Sequence, residues 1–167
     1  MDKGIGIYCP FGLCRMSVFL PPSNNEQYHG SRYSAWFLAL YGIVWIVPGM
    51  IHGFLPDGGA GDIAGLDLSH NPTMIFGMFA WAGATQIAHG IVTLVVALRY
   101  RALVPLFLIV SFIERLLLSW SGWIKHAPIS GHHPPEHYSS LVFLPVILLF
   151  LWLSVRRSSL HQPEISA

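Results

Sequence analysis

The sequence predicts an all-α integral membrane protein, a four-helix bundle with both termini on the cytoplasmic side. Three observations carry that prediction. First, 53% of the 167 residues are hydrophobic and only 10% are charged, with a mean hydropathy of +0.55, against about a quarter charged in ordinary soluble domains. Second, the apolar excess is gathered into four segments, Ser34 to Leu55, Thr73 to Leu98, Leu103 to Trp123 and Ser139 to Val155. Each approaches or exceeds the roughly 20 residues that cross a hydrocarbon core. Third, the basic residues are sided: Lys3, Arg15, Arg32, Arg99, Arg101, Arg156 and Arg157 fall at one end of the spans and only Lys125 at the other. Short loops rich in Lys and Arg stay in the cytoplasm, so the loops Pro56 to Pro72 and Ile124 to Tyr138 are expected to face outward.

The chain divides into a flexible cytoplasmic arm (1–32), a four-helix transmembrane domain (33–157) and a short cytoplasmic tail (158–167). The stretch Met1 to Gly30 lacks the long apolar run and small-residue cleavage site of a signal peptide, and Met16 is a possible alternative start. Cys9 and Cys14 are read as free thiols on the reducing side, since their spacing matches no usual zinc pair. The net charge of +1, with no Lys/Arg tract, excludes nucleic acid as a partner.

In the first span, Pro48 interrupts the helical hydrogen bonding, and Gly49 with Gly53 forms a G-x-x-x-G step that permits close backbone approach. His52 lies near the outer end, either hydrogen-bonded to a loop at the interface or acting as a proton carrier or ligand. Tyr33, Trp36 and Tyr41 fit an aromatic belt at the inner interface. The second span presents Ala80, Ala84 and Ala88 with Gly77 and Gly83 nearby, a small-residue seam expected to face the first span. Gln86 and His89, three residues apart, share one helical face close to mid-membrane.

The third span holds Glu114 and Arg115 among twelve Leu, Ile, Val and Phe residues. Each charge at a helix centre costs roughly 2.5 to 3.5 kcal/mol, and each such apolar residue returns about 0.3 to 0.6. Insertion is therefore near balance and depends on partners. Consecutive helical residues point about 100° apart, so the two charges face different neighbours. Glu114 lies at the depth of Gln86 and His89, and the three can cluster if the second and third helices are adjacent. Arg115 needs Glu114 at an angle, backbone carbonyls, water or an acidic group from elsewhere. The fourth span is nearly all Leu, Val, Phe and Ile apart from Pro145, a lipid-facing or protein-docking surface.

Two outer loops remain. Asp57, Asp62 and Asp67 lie in a Gly-rich stretch whose spacing is not that of an EF-hand, so a compact turn covering the bundle mouth is expected rather than a calcium site. His126, His132, His133 and His137 with Glu136 include ligand types suited to Zn²⁺ or Cu²⁺. The Pro-Pro step denies His133 and His137 a one-face helical arrangement, so no metal is assigned. His52 and His89 differ too much in depth to share a haem.

The first span ending in Pro-Gly-x-x-His-x-x-x-Pro, the Gly-rich loop, the Ala/Gly-rich second span and Arg-Tyr-Arg before the third together resemble the small four-helix bacterial membrane proteins of the DoxX-like group, over about Tyr33 to Val155. The resemblance implies a multi-pass protein of the bacterial inner membrane. Some members of the group are associated with quinone-linked thiosulfate oxidation. The resemblance assigns no catalytic residue to this chain.

The expected function is binding of a lipidic or quinone-like molecule, or of a partner subunit, by the intramembrane polar cluster, with membrane lipid as a constant partner. Arg115, Gln86 and His52 are the candidate ligand-binding residues. Glu114 and His89 are the candidate acid and base of an alternative reading, a membrane-embedded isomerase or quinone-linked oxidoreductase. A polar network that only fixes helix register is also open, as is an oligomeric transporter. The residues specify no cofactor.

Overall fold

Each predicted span becomes one helix, and three of the four begin at a proline or a hydroxyl cap. A computed structural model describes residues 20–127 and 133–156. Helix α1 is Arg32–Phe54, capped by Ser31, whose Oγ accepts the Tyr33 N–H at 3.2 Å. Helix α2 is Pro72–Arg99 and helix α4 is Pro135–Val155, each with proline at its first position, where the missing N–H costs nothing. Helix α3 is Val104–Trp120; a 3₁₀ turn, Arg101–Leu103, leads into it and a π-helical turn, Ser121–Lys125, continues it. A further 3₁₀ turn spans Asn25–Gln27; the other described residues are turns and loops, with no strand among them. α1, α2 and α4, and α3 together with its flanking turns (Arg101–Lys125), are each long and apolar enough to cross a bilayer.

The tightest packing is between α1 and α2. There, Gly49 and Gly42 of α1 meet Gly83 and Gly90 of α2: a Cβ on Gly83 would lie 2.7 Å from the Gly49 carbonyl oxygen, and one on Gly90 2.7 Å from that of Gly42. The second span does pack on the first, but through different residues than its alanines suggest. Ala80, Ala84 and Ala88 are exposed, whereas both glycines of the G-x-x-x-G step abut Gly83, whose added Cβ would also lie 2.8 Å from the Gly53 nitrogen. Backbone in direct contact leaves no room even for a methyl group. The glycines recur every seven residues, which holds them on one line, whereas a four-residue spacing drifts around the helix.

A second pair, α3 with α4, is joined at its outer end by a Ser119 to Ser140 hydrogen bond of 2.9 Å. Contacts between the two pairs are sparser. They close at the inner end, where α1 begins and α4 finishes: there Leu38, Val96, Ala97, Val104, Leu108 and Ile147 are buried and Ser34 Oγ donates to the Phe150 carbonyl at 2.8 Å. Outward, the pattern is inverted relative to a water-soluble protein: Trp81, Phe54, Met74 and many other large apolar side chains are exposed. Hydrocarbon tolerates such a surface and water does not.

Residues 1–19 of the expected arm lie outside the described residues. From Pro21 onward the chain is tied to the turn between α2 and α3. Asn25 is central: its Nδ2 donates to the Leu98 carbonyl (2.9 Å) and its Oδ1 accepts the Arg101 N–H (3.0 Å). Ser23 Oγ donates to the Arg99 carbonyl at 2.9 Å. These bonds satisfy groups that a helix end otherwise leaves unpaired.

Candidate functional site

A cavity of about 400 Å³ opens at the outer end, where the two helix pairs do not meet. Its walls are Val44, Pro48 and His52 of α1, Phe79 of α2, Leu118 of α3 and Phe143 of α4, and Arg115 reaches it from α3. The first outer loop lies across it through Gly59, Ile63, Ala64 and Leu66. That loop is the compact turn expected from its glycines. Gly58, Gly59 and Gly65 take positive φ, which other residues adopt only with strain. The Asp57 carboxylate accepts N–H bonds from Gly59 (2.8 Å), Gly61 (3.0 Å) and Asp62 (3.2 Å). Those donors hold its pKa below the ordinary carboxylate value, the Gly59 bond most. Asp67 accepts from the Ser69 N–H at 2.9 Å, so two of the three loop carboxylates serve turns.

Arg115 is 4% exposed. Its Nε donates to the Tyr41 hydroxyl at 2.8 Å, and its guanidinium carbon sits 4.6 Å from the Trp45 ring centre and 5.6 Å from those of Tyr41 and Phe143. Such rings stabilise a cation electrostatically, most strongly where water is excluded. The remaining side of the guanidinium faces Glu136, Nη1 to Oε1 3.7 Å. That carboxylate is 37% exposed at the cavity mouth.

Glu114 points elsewhere, as the 100° step requires. Its Oε2 lies 3.7 Å from His89 Nε2 across α2 and α3, and neither atom has a hydrogen-bond partner. The ring of Trp45 touches both His89 and Arg115, with its centre 5.2 Å from that of the His89 ring and 4.6 Å from the Arg115 guanidinium carbon. Gln86 does not join this pair in hydrogen bonding: it is buried with its Cβ against Gly49 on the α1 side, and its Oε1 is unpaired. Thr93 and Ser111, both fully buried, also have unpaired hydroxyls.

His52 is held by the first outer loop. Its Nδ1–H donates to the Gly58 carbonyl at 2.7 Å, the edge of its ring meets Phe79, and it lines the cavity. At the mouth, His133 stacks on Trp123 with ring centres 3.9 Å apart, and its Nδ1 lies 3.0 Å from that of His137. Among the described residues no third His, Cys, Asp or Glu completes a metal set with them. His132 lies outside the described residues.

The roles of three site residues escaped sequence reasoning. Tyr41 was placed in the interfacial belt, yet it is 1% exposed and holds Arg115. Trp45 follows it by four residues on the same inward face, a spacing that carried the signal. Glu136, which the sequence places in the outer histidine loop, stands instead in the first turn of a helix and faces Arg115, because α4 starts at Pro135 rather than at Ser139. A proline followed by Glu is a helix-start signature, and it brings Glu136 and His137 onto a helix otherwise without polar function. No family model, curated protein or solved structure matches this chain.

Proposed function

We propose that this chain is a multi-pass protein of a bacterial inner membrane, with cytoplasmic termini, that binds a lipidic or quinone-like molecule in the cavity between its two helix pairs. The observation that carries this reading is the buried Arg115 guanidinium presented to an otherwise mostly apolar cavity of about 400 Å³. Apolar walls with few convergent polar groups are the usual make-up of a small-molecule site. A ligand with a long apolar body and an oxygen-bearing head matches the lining, with its head at Arg115 and His52 and its body against Pro48, Phe79, Leu118 and Phe143. The first outer loop covers it. The resemblance to the DoxX-like group is compatible with a quinone-like ligand.

The experiment is native mass spectrometry of protein extracted gently from its own membranes. A small molecule retained by the native protein and lost from Arg115→Gln, with unchanged unfolding temperature, supports the reading. A polypeptide retained in fixed ratio would instead make the chain a subunit of a larger complex.

A second reading, acid–base catalysis, is favoured by one observation: His89 Nε2 and Glu114 Oε2 face each other and neither is otherwise bonded. A pair so placed can pass a proton. The cavity lining does not include either residue, so binding at Arg115 does not by itself require them.

A further inference from the structure

The position of Glu136 narrows the ligand's chemistry. Three sides of the Arg115 guanidinium are committed, one to the Tyr41 hydroxyl and the others to the Trp45 and Phe143 rings. The open side faces the cavity, and among the described residues the one acidic group lining it is Glu136. Its oxygen stops at 3.7 Å, longer than the 2.7–2.9 Å or so of a charge-assisted hydrogen bond. The two partners are also unequal: Arg115 is 5% exposed at its side chain and Glu136 is 37%. Glu136 lies in the first turn of its helix, which itself favours a carboxylate there, so the group loses little by leaving Arg115. The buried cation has no such alternative.

We infer that Glu136 is a placeholder, and that the ligand of this cavity carries an anionic head, a carboxylate or a group of like shape, which displaces Glu136 from Arg115 and pairs with the guanidinium itself. The inference rests on the reading of the cavity as a lipidic site and names the head group that site selects. A carboxylate matches the planar guanidinium edge in two parallel hydrogen bonds. A neutral head does not repel Glu136 and has no cause to move it.

The test uses 2-bromododecanoate and 2-bromododecan-1-ol, which share a chain and differ in head charge, added to the full chain in lipid nanodiscs. Bromine quenches an indole on contact, and Trp45 lies against the guanidinium, so binding is read as quenching that disappears in Trp45→Phe. The bromododecanoate is expected to quench saturably in the native protein. In Glu136→Gln it should bind at least about fivefold tighter, because a like charge beside the bound head has gone, and in Arg115→Gln quenching should be lost. Glu136→Ala serves as a second variant, and the unfolding temperature of each is measured alongside. Weaker binding in both Glu136 variants, at unchanged unfolding temperature, would make Glu136 part of the site and overturn the placeholder. Quenching by the alcohol alone would leave the cavity a lipidic site with a neutral ligand and sink the anionic head. No Trp45-dependent quenching by either amphiphile would remove both this inference and the reading it rests on.

Discussion

At the scale of single residues, the two adjacent charges of the third span enter two separate pairs. Glu114 and Arg115 are sequence neighbours, yet Glu114 meets His89 while Arg115 is enclosed by Tyr41, Trp45, Phe143 and Glu136. The geometry of a helix makes this unavoidable. The neutral partner of Arg115 is the more telling one, since the Tyr41 hydroxyl is buried and its hydrogen bond is short. Tyr41→Phe keeps the ring over the cation and removes only the bond. Hydrogen bonds to charged groups contribute about 1.5–3 kcal/mol, so this substitution is expected to lower unfolding stability in detergent by about that amount, while Tyr33→Phe, at an exposed ring, leaves it unchanged. Equal effects of the two would mean that Tyr41 acts through packing alone. The charged pair was visible in the sequence as an anomaly in an apolar run; its aromatic enclosure was not. Tyr41 reads equally well as an interfacial belt residue, because composition gives depth only approximately and a single aromatic does not reveal which face of its helix is buried.

At the scale of helices, the length and number of elements were legible because hydropathy and proline placement agree, and the contact faces were not. Small residues occur throughout α2, and the alanines recur more regularly than the glycines. What decides between them is distance: the α1 and α2 backbones approach so closely that only a residue without Cβ fits. Gly83 and Gly77 then make opposite predictions. Gly83→Ala places a methyl group 2.7 Å from the Gly49 oxygen and is expected to destabilise by about 1–3 kcal/mol through overpacking. Gly77, with nothing within 4 Å of the added carbon, gains the ordinary helical preference of alanine, so Gly77→Ala should stabilise by up to about 1 kcal/mol. Thermal unfolding of the two variants side by side decides the matter, and a loss of stability at both positions would show that α2 packs elsewhere. The start of α4 was misplaced for a related reason. Hydropathy locates the apolar body of a helix and is blind to a polar first turn, which here holds Glu136, His137 and the Ser139–Ser140 step.

At the scale of the whole molecule, the cavity follows from how unequally the helices are paired. One pair is drawn together by glycines, the other is joined at its outer end by serine hydroxyls, and the space left between them is filled at the inner end by Leu38, Val104, Leu108 and Ile147. A packing void of this kind belongs to no single segment, so no window of sequence could reveal it. What the sequence did disclose was the loop that covers it, through glycines and Asp57, and the sidedness of the charges around it. Arg32, Arg99, Arg101 and Arg156 all lie at the sealed end, and the cavity opens at the other. If the basic end is retained in the cytoplasm, the cavity faces outward and is reached from the outer leaflet or from beyond the membrane. In a background with Cys9 and Cys14 replaced by serine, Ser69→Cys, exposed in the first outer loop, is therefore expected to react with a membrane-impermeant maleimide on intact cells. Glu26→Cys, exposed beside the basic end, should react only after the membrane is opened. The reverse pattern would turn the cavity toward the cytoplasm. Arg115 and His52 would then be reached from inside the cell.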